Sequence, residues 1–117
     1  MTPDDFERDV RAIVAAWAYI CWIYLLDKTK RAVKMRLHID NECFVQVYAN
    51  LQKSLISYTL VLNRTRIYGR DYDGGKWHRH PYDAPESHDF SDEGSRETSL
   101  SEFLAEAQLI LQASGIL

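Results

Sequence analysis

The stretch VKMRLHIDNECFVQVYANLQKSLISYTLVLNRTRIYGRDYDGGKWHRHP, residues 33–81, decides the fold. Val33, Met35, Leu37 and Ile39 alternate with Lys34, Arg36 and His38, the pattern of a half-buried strand with a polar outer face. Asp40-Asn41 reads as a turn. Cys43–Ala49 then alternates again, with Val45 and Val47 on one face and Phe44, Gln46 and Tyr48 on the other. Leu55–Leu62 is apolar on both faces and predicts a central strand. Asn63-Arg64-Thr65 turns the chain into a fourth strand, Arg66–Arg70. Asp71–Gly75 is rich in residues that tolerate positive φ. The extended segment that follows stops at Pro81. Short strands with tight links predict an antiparallel meander of about four or five strands over 32–81.

Working outward, Thr2-Pro3-Asp4-Asp5 offers a capping hydroxyl, a first-turn proline and acids at the positive end of a helix. Phe6, Val10, Ile13, Val14, Trp17, Cys21, Tyr24 and Leu25 follow helical spacing and predict an apolar helix over 1–28. Aromatic and β-branched residues in Trp22–Leu26 leave a strand as the alternative there. A helix apolar all round needs cover on all sides, which a small domain struggles to supply. Trp17, Tyr19 and Trp22 are therefore the expected partner surface, for a homodimer or a hetero-complex.

Ala12–Leu26 has no charge but falls short of the roughly 20 residues a membrane span needs. Its upstream flank is acidic, unlike a signal peptide. With two cysteines outside any CxxC pair, the expectation is a cytoplasmic chain with no membrane anchor. Residues 82–98 read as an acidic loop. Ser99-Leu100-Ser101-Glu102 matches a capping box that opens a C-terminal helix over 99–114, with Gly115 as its stop. The whole is a single α+β domain, 1–117, with a sheet packed against N- and C-terminal helices.

The chain of 117 residues carries a net charge of −3, which argues against a generic nucleic-acid coat. The charge is uneven. Residues 41–80 hold six Lys/Arg against three Asp/Glu, and residues 81–117 hold one against eight. A local basic patch can still meet phosphate.

That patch is Arg64, Arg66, Tyr68, Arg70, Lys76, Trp77 and Arg79, with His78, His80 and His88 beside it. Arg64, Arg66 and Arg70 alternate in phase and should share a face. Arginines clamp phosphate, histidines move protons near neutral pH, and aromatics stack unpaired bases. The residue types suit metal-independent RNA cleavage, in which His78 and His80 do acid–base work with no cofactor and Arg70 supports the phosphate. A solvated polar edge is the bland alternative. A metal site is another: His78-x-His80 with His88 and either Asp71 or Asp89.

Residues 33–112 resemble the TumE-like toxin proteins of prokaryotic type II toxin–antitoxin operons. The likeness lies in Ile67-Tyr68-Gly69-Arg70-Asp71, in Trp77-His78-Arg79-His80-Pro81 and in His88 after an acidic spacer. The resemblance implies a cytoplasmic toxin, a cognate helix-turn-helix antitoxin as partner, RNA as target and a small sheet with helices, loosely like RelE-type RNase toxins. It carries over to Arg70, His78, His80 and His88. Two other functions suit the same residues: a non-catalytic RNA-binding or adaptor subunit, and a metal-dependent hydrolase built on the HxH pair.

Overall fold

The computed structural model describes residues 1–117. The elements are α1 (Pro3–Val14), β1 (Trp22–Lys28), β2 (Ala32–His38), β3 (Cys43–Asn50), β4 (Leu55–Leu62), β5 (Thr65–Asp73), β6 (Lys76–His80) and α2 (Leu100–Ala113). The six strands form one antiparallel sheet in chain order, so every strand pairs with its sequence neighbour. The α+β meander is as expected, with six strands rather than four or five.

The additional strand comes from the N-terminal segment. The helix expected over 1–28 ends at Val14, where Ala16, Trp17 and Ile20 make short-range turn hydrogen bonds to Ile13, Val14 and Trp17. Trp22–Lys28 then pairs with β2 as the sheet's edge. A helix continued to residue 28 would have left its far face wet, whereas a strand satisfies its backbone on β2 and half-buries Ile23 and Leu25. No helix is long and apolar enough to cross a membrane.

Both helices start with capping boxes, Thr2 with Asp5 and Ser99 with Glu102. They pack on the same face of the sheet. Phe6, Val10 and Val14 of α1 and Leu100, Phe103, Leu104, Ala107 and Leu111 of α2 join the inward residues of β2 to β5 in one buried core. The Phe103 ring lies 5.5 Å from that of Tyr58 and 5.6 Å from that of Tyr68. No element covers the opposite face. Lys34, Arg36, His38, Phe44, Gln46, Tyr48, Ser57 and Thr59 are all half-buried there.

Two-residue turns fix the register at the site end of the sheet. Asn63 and Arg64 both have positive φ between paired Leu62 and Thr65, and Gly74 and Gly75 do the same between Asp73 and Lys76. A bulge at Ile67 shifts β5 by one residue against β4. Residues before and after the bulge therefore change sides.

Candidate functional site

The bulge separates the arginines expected to share a face. Arg66 pairs with Val61 on the open side, whereas Arg70 points into the core. Arg70 is 0% exposed. Its Nε and Nη2 donate to the two carboxylate oxygens of Glu106 at 2.8 Å, and Nη1 and Nη2 donate to the Glu93 carbonyl and carboxylate at 2.9 Å. Four of its five N–H groups are used within the protein and the side chain is fully buried, so Arg70 cannot hold a substrate phosphate. It ties α2 and the acidic segment to β5. Tyr68 is buried against Phe103 and is likewise closed to a ligand.

The neighbouring strand divides in the same way. Trp77 faces the helix side, with its ring 5.4 Å from Tyr72 and 6.2 Å from Tyr58, so it does not stack beside the histidines. Arg79 donates from Nε and Nη2 to Asp89 at 2.9 and 2.7 Å, and the two residues exchange backbone hydrogen bonds. Lys76 is exposed at the hairpin end.

The segment 82–98 is consequently a tethered strap rather than a loose loop. Asp89 also accepts from the Ser91 backbone, and Ser91 and Arg79 together hold its carboxyl down at about 2. Gly94 sits so close to Asp89 that a Cβ would stand 2.3 Å from the Asp89 carbonyl oxygen. The strap sets the His88 ring 5.1 Å from His78 and 4.8 Å from His80.

On the open face, four groups converge. His78 Nε2 and His80 Nε2 are 3.2 Å apart. Asp71 Oδ2 is 3.2 Å from the His80 nitrogen and 3.4 Å from the His78 nitrogen. A ligand nitrogen of His88 completes the set, with the three histidine nitrogens all within 4.8 Å of one another. Ser57 Oγ donates to the other Asp71 oxygen at 2.7 Å. His80 Nδ1 lies 3.0 Å from the Pro85 carbonyl, which turns Nε2 toward Asp71 and His78. Burial lowers the His78 pKa and outweighs the opposing pull of Asp71, while His80 and His88 lower it further.

His80 is 3% exposed, so it cannot itself meet a substrate. The acid–base work expected of His80 would be done from a buried position. Of the two aspartates that could join the histidines, Asp71 does and Asp89 is spent on Arg79. Asp71 was recoverable from the sequence. Counting outward from a two-residue turn at Gly74-Gly75 pairs Asp71 with His78.

Farther along the open face, Arg36, Phe44, Gln46, Val61 and Arg64 line a shallow basin. The Arg36 guanidinium lies 4.5 Å from the Phe44 ring centroid. Arg66 is on the same face, with Nε buried and without a hydrogen-bond partner and Nη2 3.8 Å from Glu86. Trp22 stacks on His38 at 4.9 Å, and Tyr24 is exposed on the next outward position of β1.

Of the three expected interface residues, Trp17 and Trp22 line one apolar groove and Tyr19 does not. Tyr19 is turned inward and donates its hydroxyl to the Leu104 carbonyl at 2.7 Å. Trp17 packs partly against the core, and Trp22 belongs to the open sheet face. Comparison with protein-family models, curated proteins and solved structures found no match to this chain.

Proposed function

We propose that this protein acts on RNA, binding a single strand across the open sheet face and cleaving its backbone at the Asp71–His78–His80–His88 end. The observation behind this reading is Arg66. A half-buried guanidinium with an unpartnered Nε, on the face shared by the basin and the histidines, is a donor set waiting for an anion. Arg36 and Arg64 supply further cationic contacts along the same face, and Phe44, Trp22 and Tyr24 present rings for bases. Arg66, Arg64 and Lys76 keep the RNA-binding role read from the sequence. Arg70, Tyr68, Trp77 and Arg79 do not.

The resemblance to TumE-like toxins makes growth arrest the biological readout. It also makes a cognate helix-turn-helix antitoxin the partner that restrains the activity in the cytoplasm. The apolar groove of Val14, Ala15, Trp17, Ile20 and Ile23 beside the β1 edge is the contact surface in this reading.

Tightly repressed induction in a bacterial host tests the proposal, with wild type beside His78→Ala/His80→Ala and Arg66→Ala, and total RNA run from each. Growth arrest with RNA loss that a folded His78→Ala/His80→Ala protein lacks is the expected result. Arrest without RNA loss redirects the target to another part of translation. Soluble wild type that neither arrests growth nor retains RNA overturns the reading.

A further inference from the structure

We infer that Asp71, His78 and His80 form a preorganised site for one divalent transition-metal ion, zinc in the first instance, with His88 facing the fourth coordination position. The assignment rests on the geometry of the cluster and not on the RNA reading above.

The separations are those of adjacent corners of a metal's ligand shell. Zinc–nitrogen and zinc–oxygen bonds of about 2.0–2.1 Å in a tetrahedron place neighbouring ligand atoms roughly 3.3–3.4 Å apart. The three fixed donor atoms here are 3.2, 3.2 and 3.4 Å apart. Three histidines with a carboxylate are also a donor set that suits zinc and other imidazole-binding transition ions over calcium or magnesium.

The contacts around the centre point the same way. The Pro85 carbonyl anchors His80 through Nδ1, so Nε2 is the nitrogen turned to Asp71 and His78. Ser57 occupies the other Asp71 oxygen, which leaves Oδ2 beside the two histidine nitrogens. Three ligand atoms thus lie mutually adjacent, and a single cation can meet all of them.

The supporting groups are those that a metal centre uses to hold its ligands. The Pro85 carbonyl fixes the tautomer and tilt of His80, and the Ser57 hydroxyl orients the Asp71 carboxylate. The Arg79–Asp89 clamp brings His88 over the centre from the strap. His88 is the exposed member of the set, so the ion's solvent side is the side that His88 covers. A water or a phosphate oxygen would reach the ion there as a fifth ligand, with Arg66 on the same sheet face.

The test is zinc binding by the full chain, stripped with chelator and titrated calorimetrically in the absence of RNA, with circular dichroism confirming the fold of each variant. The expected result is saturable binding of one zinc per chain and a zinc-dependent rise in Tm. Cobalt(II) loaded in place of zinc gives the visible absorption of a low-coordinate site. His78→Ala and Asp71→Asn abolish binding, while His88→Ala weakens it about tenfold or more. His38→Ala, at the far end of the sheet, leaves it unchanged.

Absence of saturable binding by folded wild type overturns the site. So does binding that His78→Ala leaves intact or that His38→Ala removes. Because His88 is exposed, its variant keeps the test decisive if the buried positions do not fold when changed. Zinc binding with no effect on RNA would leave the metal site standing and remove the RNA reading; RNA loss without zinc binding would do the reverse.

Discussion

Arg70 and Asp71 are consecutive in β5 and face opposite sides of the sheet. Each is the centre of a charged cluster. Around Arg70, Glu93 and Glu106 accept four hydrogen bonds from the guanidinium, and the side chain is fully buried. Around Asp71, three ligand atoms lie within 3.4 Å of one another on an open face. An enclosed and paired charge marks a structural joint, and a cluster of ligand atoms on an open face marks a place made for something else.

The contrast breaks first at stability. Arg70→Ala takes the buried cation from Glu106 and Glu93, which keep only Arg96, and opens a cavity beneath α2; it should cost about 2–4 kcal/mol in urea unfolding. Asp71→Asn in metal-free protein should cost under about 1 kcal/mol, since the amide oxygen still accepts from Ser57. Equal losses for the two variants would erase the distinction between joint and site.

Gly94→Ala probes the connection between the two clusters, because the strap runs from one to the other. The added methyl would meet the Asp89 carbonyl at 2.3 Å, and relief requires the strap to move. A loss of roughly 1–3 kcal/mol is expected, together with weaker zinc binding through a displaced His88. Unchanged zinc affinity in a destabilised protein would show that His88 is not held by the strap.

Arg66→Ala sharpens the comparison from the open side. Stability should change by less than about 0.5 kcal/mol, because the residue removed has an unsatisfied buried N–H. The salt dependence of RNA binding should fall by about one unit of log–log slope. A large stability loss with unchanged RNA affinity would make Arg66 another joint.

The smallest effect needs no substitution. Cys43 lies buried on the inner face with its thiol pushed up to about 11 by burial and then by Asp40, whereas Cys21 is exposed. Alkylation at neutral pH should label Cys21 alone until denaturant is added, and native labelling of Cys43 would show that the inner face opens.

Alternation made β2 and β3 legible, since one face of each is buried and the other is polar. The helix starts were legible because capping boxes are local chemistry. β1 was legible only as the alternative for Trp22–Leu26, because Ala12–Leu26 contains no glycine or proline to mark the break and its apolar residues fit both periods. At the site, the histidines and Arg66 stood out by type. The inward turn of Arg70 did not, because a bulge at Ile67 has no residue signature and reverses every side chain beyond it. Tethering of the strap depends on Arg79 meeting Asp89 across ten positions, a tertiary fact.

The neighbour-to-neighbour order of the strands has a consequence for biosynthesis. Five hairpin links can close as the chain emerges, since each needs only the strand just made. α1 is ready to pack on β2, but Tyr58 and Tyr68 wait for Phe103, and Arg70 waits for Glu93 and Glu106. Until the final helix leaves the ribosome, the nascent sheet has one half of its inner surface wet and a lone cation at its centre. Co-translational folding of this protein therefore ends in a single late docking step, in which α2 seals the apolar surface and neutralises Arg70 together.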